Sequence, residues 1–322
     1  MKKVLCITLN PAIDLTATVN ELTIGAVNRA TNSQLGAAGK GLNVARLMSE
    51  LGQVGVATGF LGDDNRTLFD RLFASHRAFD GIYGTGQMSD EFVSVQGMTR
   101  TNVKIVDKGK TTDVNGVGFS VTQDDKDKLF NKIKGLLPDV SAVVVAGSMP
   151  RGFDADDFRV LLDLLTTHHD KVAVDVSGVA LKVALDYDLW LIKPNLDELS
   201  EVVGRRVVSL DEQQTALQVI KGNITHMLVS MGSRGVNYFK RADGAYQIYQ
   251  ALPPKVSVAS SVGAGDTMVA AMMFGLLQGY DDRQLLTFAT ALSAYAVTTV
   301  AVGVPSRERL DELTAGVTLT CP

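Results

Sequence analysis

The sequence is poor in the residues that staple small folds or hold metals. Its 322 residues include two cysteines and four histidines. Cys6 and Cys321 stand at opposite ends of the chain, so neither a disulfide framework nor a cysteine-based metal spacing exists. A reducing, cytoplasmic setting is the expectation. His76, His168, His169 and His226 show no ligand spacing to one another or to the cysteines. No charge of one sign prevails. Lys and Arg total 31 against 35 Asp and Glu, a formal net charge of −4. A nucleic-acid binder carries a basic excess, so that partner class is excluded. No signal peptide is expected. The apolar stretch after Met1-Lys2-Lys3 is too short and stops at Asn10-Pro11. Residues 285–305 carry no charge over 21 positions, yet include four Thr, a Ser, a Tyr and a Gly. That run reads as a buried helix followed by an apolar turn or strand, and no membrane partner is expected. Repeats, low-complexity tracts and long linkers are also absent.

What is present is an alternation. Strand-like runs at 4–9, 54–60, 142–146, 172–176, 189–192 and 227–230 interleave with helical patterns. The helical patterns cover 40–51, 65–75, 124–137, 154–165, 211–220, 266–277 and 283–297. Such alternation predicts βαβ units, an α/β fold and a mostly parallel sheet. Two regions break the rhythm with Thr- and Asn-rich alternation: 13–19 with 27–35, and 91–95, 101–106 and 111–114. A turn at Asp107-Lys108-Gly109-Lys110 separates the last two. They predict a small, half-exposed antiparallel sheet, a lid over a site. The expected organisation is a body of 1–11, 36–90 and 115–322, with a lid of 12–35 and 91–114.

Six segments could carry chemistry. Val262-Gly263-Ala264-Gly265-Asp266-Thr267 follows a polar, strand-like 256–261 and opens a helix. Its small residues and helix N-terminus suit an anion, and Asp266 could take a proton from a hydroxyl. The same aspartate would also serve as a plain N-cap. Gly36-Ala37-Ala38-Gly39-Lys40-Gly41-Leu42-Asn43 places Lys40 and Asn43 in another helical first turn, either for a sugar or phosphate or as a solvated face. Lys193-Pro194-Asn195-Leu196-Asp197-Glu198 lies at a strand's carboxyl end, where α/β sheets bind ligands. Asn195 and Glu198 could hold a Mg²⁺ through its waters, or simply cap a helix. Ser230-Met231-Gly232-Ser233-Arg234-Gly235 is a similar strand-end turn. Arg100, Asn102 and Lys104 share one face of a lid strand and could grip a phosphorylated sugar, or be solvated. In Asn10-Pro11-Ala12-Ile13-Asp14 the last residue could bond sugar hydroxyls. Other chemistries lack their motifs. Gly39-Lys40 is followed by Gly41, not the Ser or Thr of a P-loop, and Met268 spoils a dinucleotide fingerprint. The protein-kinase elements and the Gly-x-Ser-x-Gly elbow are missing.

Taken in order, these segments together with Gly147-Ser148-Met149-Pro150 resemble the ribokinase-like (PfkB) carbohydrate kinases over essentially the whole chain. The first three sugar-side segments are most similar to the branch that phosphorylates fructose 1-phosphate. Ser261, Met149 and Ala38 stand where many members have Thr, Leu and Gly. The resemblance implies a three-layer α/β/α body with a β lid, ATP and Mg²⁺ as cofactors, and a homodimer through the lid. The implied reaction is transfer to the C6 hydroxyl of fructose 1-phosphate, giving fructose 1,6-bisphosphate and ADP. Tagatose 6-phosphate and fructose 6-phosphate are the alternatives within the family, and a non-catalytic sugar-phosphate sensor the alternative outside catalysis. Asp266 is implied as the base and Gly263, Ala264 and Gly265 as the anion hole. Lys193, Ser230, Gly232, Ser233 and Gly235 are implied along the nucleotide, with Asn195 and Glu198 at the metal. Asp14, Gly39, Lys40, Asn43, Arg100, Asn102, Lys104 and Ser148 are implied around the sugar phosphate.

Overall fold

The computed structural model describes residues 1–108, 110–300 and 302–321. The first half forms β1 (Lys3–Thr8), β2 (Ala12–Val19), β3 (Asn32–Ala38), α1 (Lys40–Glu50), β4 (Val54–Gly62), α2 (Thr67–Ser75), β5 (Phe79–Gly81), β6 (Gly84–Val95), β7 (Arg100–Asp107), β8 (Lys110–Asn115) and α3 (Gln123–Leu136). There follow β9 (Ala142–Ala146), α4 (Ala155–His168), β10 (Val172–Asp175), α5 (Gly178–Ala184), β11 (Leu189–Ile192), α6 (Leu196–Val203), α7 (Leu210–Leu217) and β12 (Ile224–Ser230). The chain ends with β13 (Val236–Ala242), β14 (Ala245–Leu252), α8 (Ala264–Gln278), α9 (Asp282–Ala296), α10 (Arg307–Ala315) and β15 (Thr318–Thr320).

The main sheet runs β15-β14-β13-β12-β11-β10-β9-β1-β4-β6-β5. From β12 to β6 every pairing is parallel. Antiparallel strands finish both edges. Two cores cover its faces. In β1, Val4 and Cys6 point into one and Leu5 and Ile7 into the other. The first core packs α1, α8 and α9; the second packs α3 to α7. Strand β9, Ala-Val-Val-Val-Ala, is buried throughout, as a strand covered on both faces requires. Burial raises the Cys6 thiol well above its ordinary range and leaves it inert. Helices α3, α4, α6, α7 and α9 each start with a capping box, for example Asp154 with Asp157. Helices α1 and α8 start instead at Gly39 and Gly263, with no capping side chain.

Several expectations are corrected. Residues 91–95 belong to β6, paired with β4 in the main sheet, because their apolar side chains are needed in the cores. The small sheet is β3-β2-β7-β8 and is mixed, since β2 and β7 run parallel. Its strand β3 starts at Asn32 rather than at residue 27 and extends through Ala38. Residues 256–261 form no strand. The antiparallel β13–β14 hairpin, β15, α5 and α10 were not anticipated. Gly109, in the expected turn, lies outside the described residues. The uncharged 285–305 run contains most of α9, which is buried against α8, and no strand forms among its described residues. No helix among the described residues is long and apolar enough to cross a membrane.

Phe274 of α8 anchors the first core. It is 2% exposed and ringed by Tyr83, Phe288 and Tyr280 at 5.2, 5.6 and 6.1 Å between centroids. Phe274→Ala should lower stability by about 3–5 kcal/mol through lost burial plus a cavity. Urea unfolding with an unchanged slope checks this, and a loss below about 1 kcal/mol would show that the ring is not structural.

Candidate active site

The sheet order reverses around β1. The chain fills β4 and β6 on one side, then β9 to β12 on the other, and so leaves a crevice at the carboxyl ends of β1 and β9. Asn10 follows β1 and Ser148 follows β9. The Asn10 amide donates to Ser148 Oγ at 3.1 Å and to the Met149 carbonyl at 3.2 Å. Arg100, first in β7, donates from Nη2 to the Asn10 carbonyl (3.1 Å) and Ser148 Oγ (3.4 Å). Burial lowers the Arg100 pKa, with Asp14 opposing. The β2–β7 register places Asp14 opposite Asn102 and Thr16 opposite Lys104. Asp14 accepts from Asn102 Nδ2 at 3.0 Å and pairs with Lys104 at 2.5 Å. The Lys104 charge is therefore matched within the small sheet, leaving Arg100 as the cation without a carboxylate in contact. Asn102 Oδ1 is buried without a partner.

Beneath this lies a charged centre. Asp175 ends β10 and is 1% exposed. Lys193, just past β11 and 6% exposed, places Nζ 3.2 Å from Asp175 Oδ1. Lys40, first in α1, stands 3.4 Å from Asp175 Oδ2. Burial pushes the Asp175 carboxyl up, but Lys193 and Lys40 outweigh it and hold it below the usual range. Burial works to lower Lys40, and Asp175, Asp266 and Glu198 together raise it above the ordinary value. Asp266, in the first turn of α8, is pushed up to about 6 by burial and then by Asp175. Asn43 Nδ2, donating to its Oδ2 at 2.7 Å, and the two lysines oppose that rise. Helix α1 reaches this centre because it presses on the end of β1. A Cβ on Gly41 would sit 2.6 Å from the Ile7 carbonyl oxygen, and one on Gly39 (φ 147°) 2.8 Å from Thr8 Cγ2.

A cleft of about 650 Å³ opens beside the centre. At its polar end are Lys193, Ser230, Gly232, Ser233, Gly235, Ala264 and Gly265. Its other walls include Val256, Val258, Met268, Ala294 and Val297. Gly263 (φ 83°) turns the chain into α8, and a Cβ there would collide with Val302 at 2.7 Å. The first-turn amides of α8 have no capping side chain, and Gly265 faces the Lys193 ammonium, which a Cβ would approach to 3.2 Å. Asn195 and Glu198 form a mutual capping box at the start of α6, and Asn195 bridges to Ser230 at the cleft. The capping alternative is thus realised; Asn195 touches the cleft only through Ser230, and Glu198 stands near enough to Lys40 to raise its pKa.

The sequence-derived nucleotide residues Lys193, Ser230, Gly232, Ser233, Gly235 and Gly265 all line this one cleft. Asp266, Asn43 and Lys40 meet at the charged centre, and Gly147 joins them to the Ser148 turn, with its would-be Cβ 3.8 Å from Lys40 Cβ. Sequence reasoning missed Asp175, whose only signal is a lone carboxylate ending the apolar run Val172-Ala173-Val174. It also missed the apolar cleft walls, which come from an irregular segment and from α9 and carry no motif.

Comparison with known proteins gives the family. The family model for the pfkB family carbohydrate kinases matches residues 1–309. The 1-phosphofructokinase of Vibrio cholerae is 43% identical over 97% of this chain and 95% of its own. That of Escherichia coli K12 is 36% identical over 99% and 98%. Among solved structures, a possible 1-phosphofructokinase from Thermotoga maritima superposes with a TM-score of 0.85 at 24% identity, covering 99% of both chains. Phosphofructokinase-2 of Escherichia coli in complex with fructose-6-phosphate gives 0.80 at 24%, over 98% and 99%. These two structures share the fold, and the sequence match over residues 1–309 goes further: the chain belongs to the pfkB family of carbohydrate kinases.

Proposed function

We propose that this kinase transfers the γ-phosphoryl group of ATP to the C6 hydroxyl of fructose 1-phosphate, forming fructose 1,6-bisphosphate and ADP. One observation carries the reading. A buried carboxylate, Asp266, stands in the same helical turn as the uncapped amides that face the cleft. The ionised Asp266 accepts the hydroxyl proton while Asn43 holds its other oxygen in place. The amides of Ala264 and Gly265, with the Lys193 ammonium above them, receive charge developing on the transferred group. Arg100 and Lys104 lie on the sugar side and meet the C1 phosphate, and the buried Asn102 Oδ1 accepts from a sugar hydroxyl. The ring of the base enters the apolar part of the cleft.

Mg²⁺ fits the donors present. The Asn195 amide oxygen and the Glu198 carboxylate each accept one capping N–H and keep lone pairs free, which suits an ion that retains its waters and phosphate oxygens. Asn195 and Glu198 are the oxygen donors that would hold it. When bound it would neutralise nucleotide phosphate charge. The small sheet is read as a lid. It exposes Leu35 and Val114, at 55% and 57%, and a second copy covering that apolar surface makes a homodimer the expected assembly. A cytoplasmic location agrees with the free cysteines.

With Mg-ATP and each of fructose 1-phosphate, fructose 6-phosphate and tagatose 6-phosphate at equal concentration, ADP release should favour fructose 1-phosphate. Preference for another would move the assignment of Arg100 and Lys104, and no turnover would sink the reading. Asp266→Asn should cut kcat by about 10³-fold while sugar-phosphate affinity stays within a few-fold. A sugar-phosphate sensor would lose only affinity. Because Asp266 must be ionised and titrates at about 6, kcat/KM should fall tenfold per pH unit below that value. A profile flat down to pH 5 would remove Asp266 as the base.

A further inference from the structure

We infer that Ser293 of α9 is a positioning residue that aims the Gly265 amide into the cleft. This inference rests on the reading of the Gly263-to-Asp266 turn as the anion hole. The peptide unit is planar and trans, so the carbonyl of Ala264 and the N–H of Gly265 belong to one rigid plate and point in opposite directions. Whatever holds the carbonyl fixes the amide. Ser293 Oγ donates to the Ala264 carbonyl at 3.0 Å, across 29 residues.

Local chemistry does not explain that bond. A hydroxyl within a helix ordinarily bonds back to the carbonyl four residues earlier. Thr166, Ser200, Thr215 and Thr314 do so here, to Leu162, Leu196, Asp211 and Leu310. Ser293 instead leaves its own helix. The neighbouring plate, Gly263 carbonyl with Ala264 N–H, is held from within α8 by Thr267, whose backbone N–H and Oγ1 both donate to the Gly263 carbonyl, at 2.9 and 2.8 Å. One plate of the turn thus has a local hydroxyl on its carbonyl, and the other has one supplied by α9. Ser293 also lines the nucleotide cleft. A bound nucleotide would screen its hydrogen bond from water and so strengthen it, tying occupancy of the cleft to the alignment of Gly265.

The test compares wild type with Ser293→Ala and Ser293→Thr, the second restoring a hydroxyl. Thermal unfolding first confirms that both variants fold. Ser293→Ala should lower kcat about tenfold, less than the loss of a whole donor, with KM for ATP within twofold. Affinity for ADP with aluminium fluoride, a mimic of the phosphoryl group in flight, should fall by a similar factor while ADP alone binds as before. Ser293→Thr should recover most of both losses. An unchanged kcat in Ser293→Ala, or a fall in ADP affinity matching the fall in kcat, overturns the inference and leaves a packing role. Asp266→Asn separates the two levels. If that variant is inactive while Ser293→Ala is normal, the positioning role alone fails. If Asp266→Asn keeps full turnover, the reading of the turn fails with it.

Discussion

The ion-paired carboxylate of Asp175 is the constraint on which the rest of the site depends. It sits at the end of a strand in the middle of the sheet, almost wholly buried, with Lys193 on one oxygen and Lys40 on the other. Removing Lys193, the buried partner, would leave an uncompensated buried charge at a cost of about 3–5 kcal/mol, whereas the more exposed Lys40 contributes less. Their origins matter more than their energy. Lys193 follows β11, Lys40 opens α1, and Asp175 closes β10. One electrostatic knot thus fixes the strand ends and a helix start against each other. The fourth charge, Asp266, feels all three: burial first and Asp175 second raise its pKa, against the pull of Asn43 and both lysines.

The helix starts differ in how their first-turn amides are satisfied. Five helices satisfy their first-turn amides with their own side chains through capping boxes. Helices α1 and α8 begin with glycine and no capping side chain. An uncapped start is a local cost, because its amides lack partners until a ligand or water supplies them. It is also a ready anion site, since the macrodipole adds about half a positive charge there. Glycine at both positions does a second job: positive φ and close approach let the helices butt onto β1 and onto Val302. Helices α2 and α5 also start without a side-chain cap, so what distinguishes α1 and α8 is the glycine start beside the charged centre and the cleft.

How much of this was legible in the sequence follows from what each segment obeys. Strands such as 142–146 and 189–192 are buried on both faces, so apolar runs gave their bounds directly. The Gly-Ala-Gly-Asp turn and the Lys-Pro-Asn segment could be read because small residues, caps and strand ends have local signatures. Asp175 could not, because its meaning comes from Lys40, 135 residues away. The strand at 91–95 was assigned to the wrong sheet for a similar reason. Its alternation looks half-exposed, but its partner β4 carries it into the main sheet. The β13–β14 hairpin does carry a local signal, its Asp243-Gly244 turn, in which both residues have positive φ.

The proposed division between a sugar side and a nucleotide side follows chain order. The small sheet leaves the body after β1 and returns through β3 straight into α1, so its strands and the Lys40–Asn43 turn are one continuous device. Helix α1 is pinned by glycine contacts to β1 and by Asn43 to Asp266, so the root of the small sheet is registered on that carboxylate. Arg100 stands at that root, bonded to the backbone carbonyl of Asn10 and to the hydroxyl of Ser148, where β1 and β9 end. A ligand held by Arg100 is thus located relative to the sheet ends, whereas one held further out, at Lys104, would first have to draw that ammonium from Asp14. Recognition that depends on breaking an internal ion pair discriminates by charge, because only an anion can repay the loss.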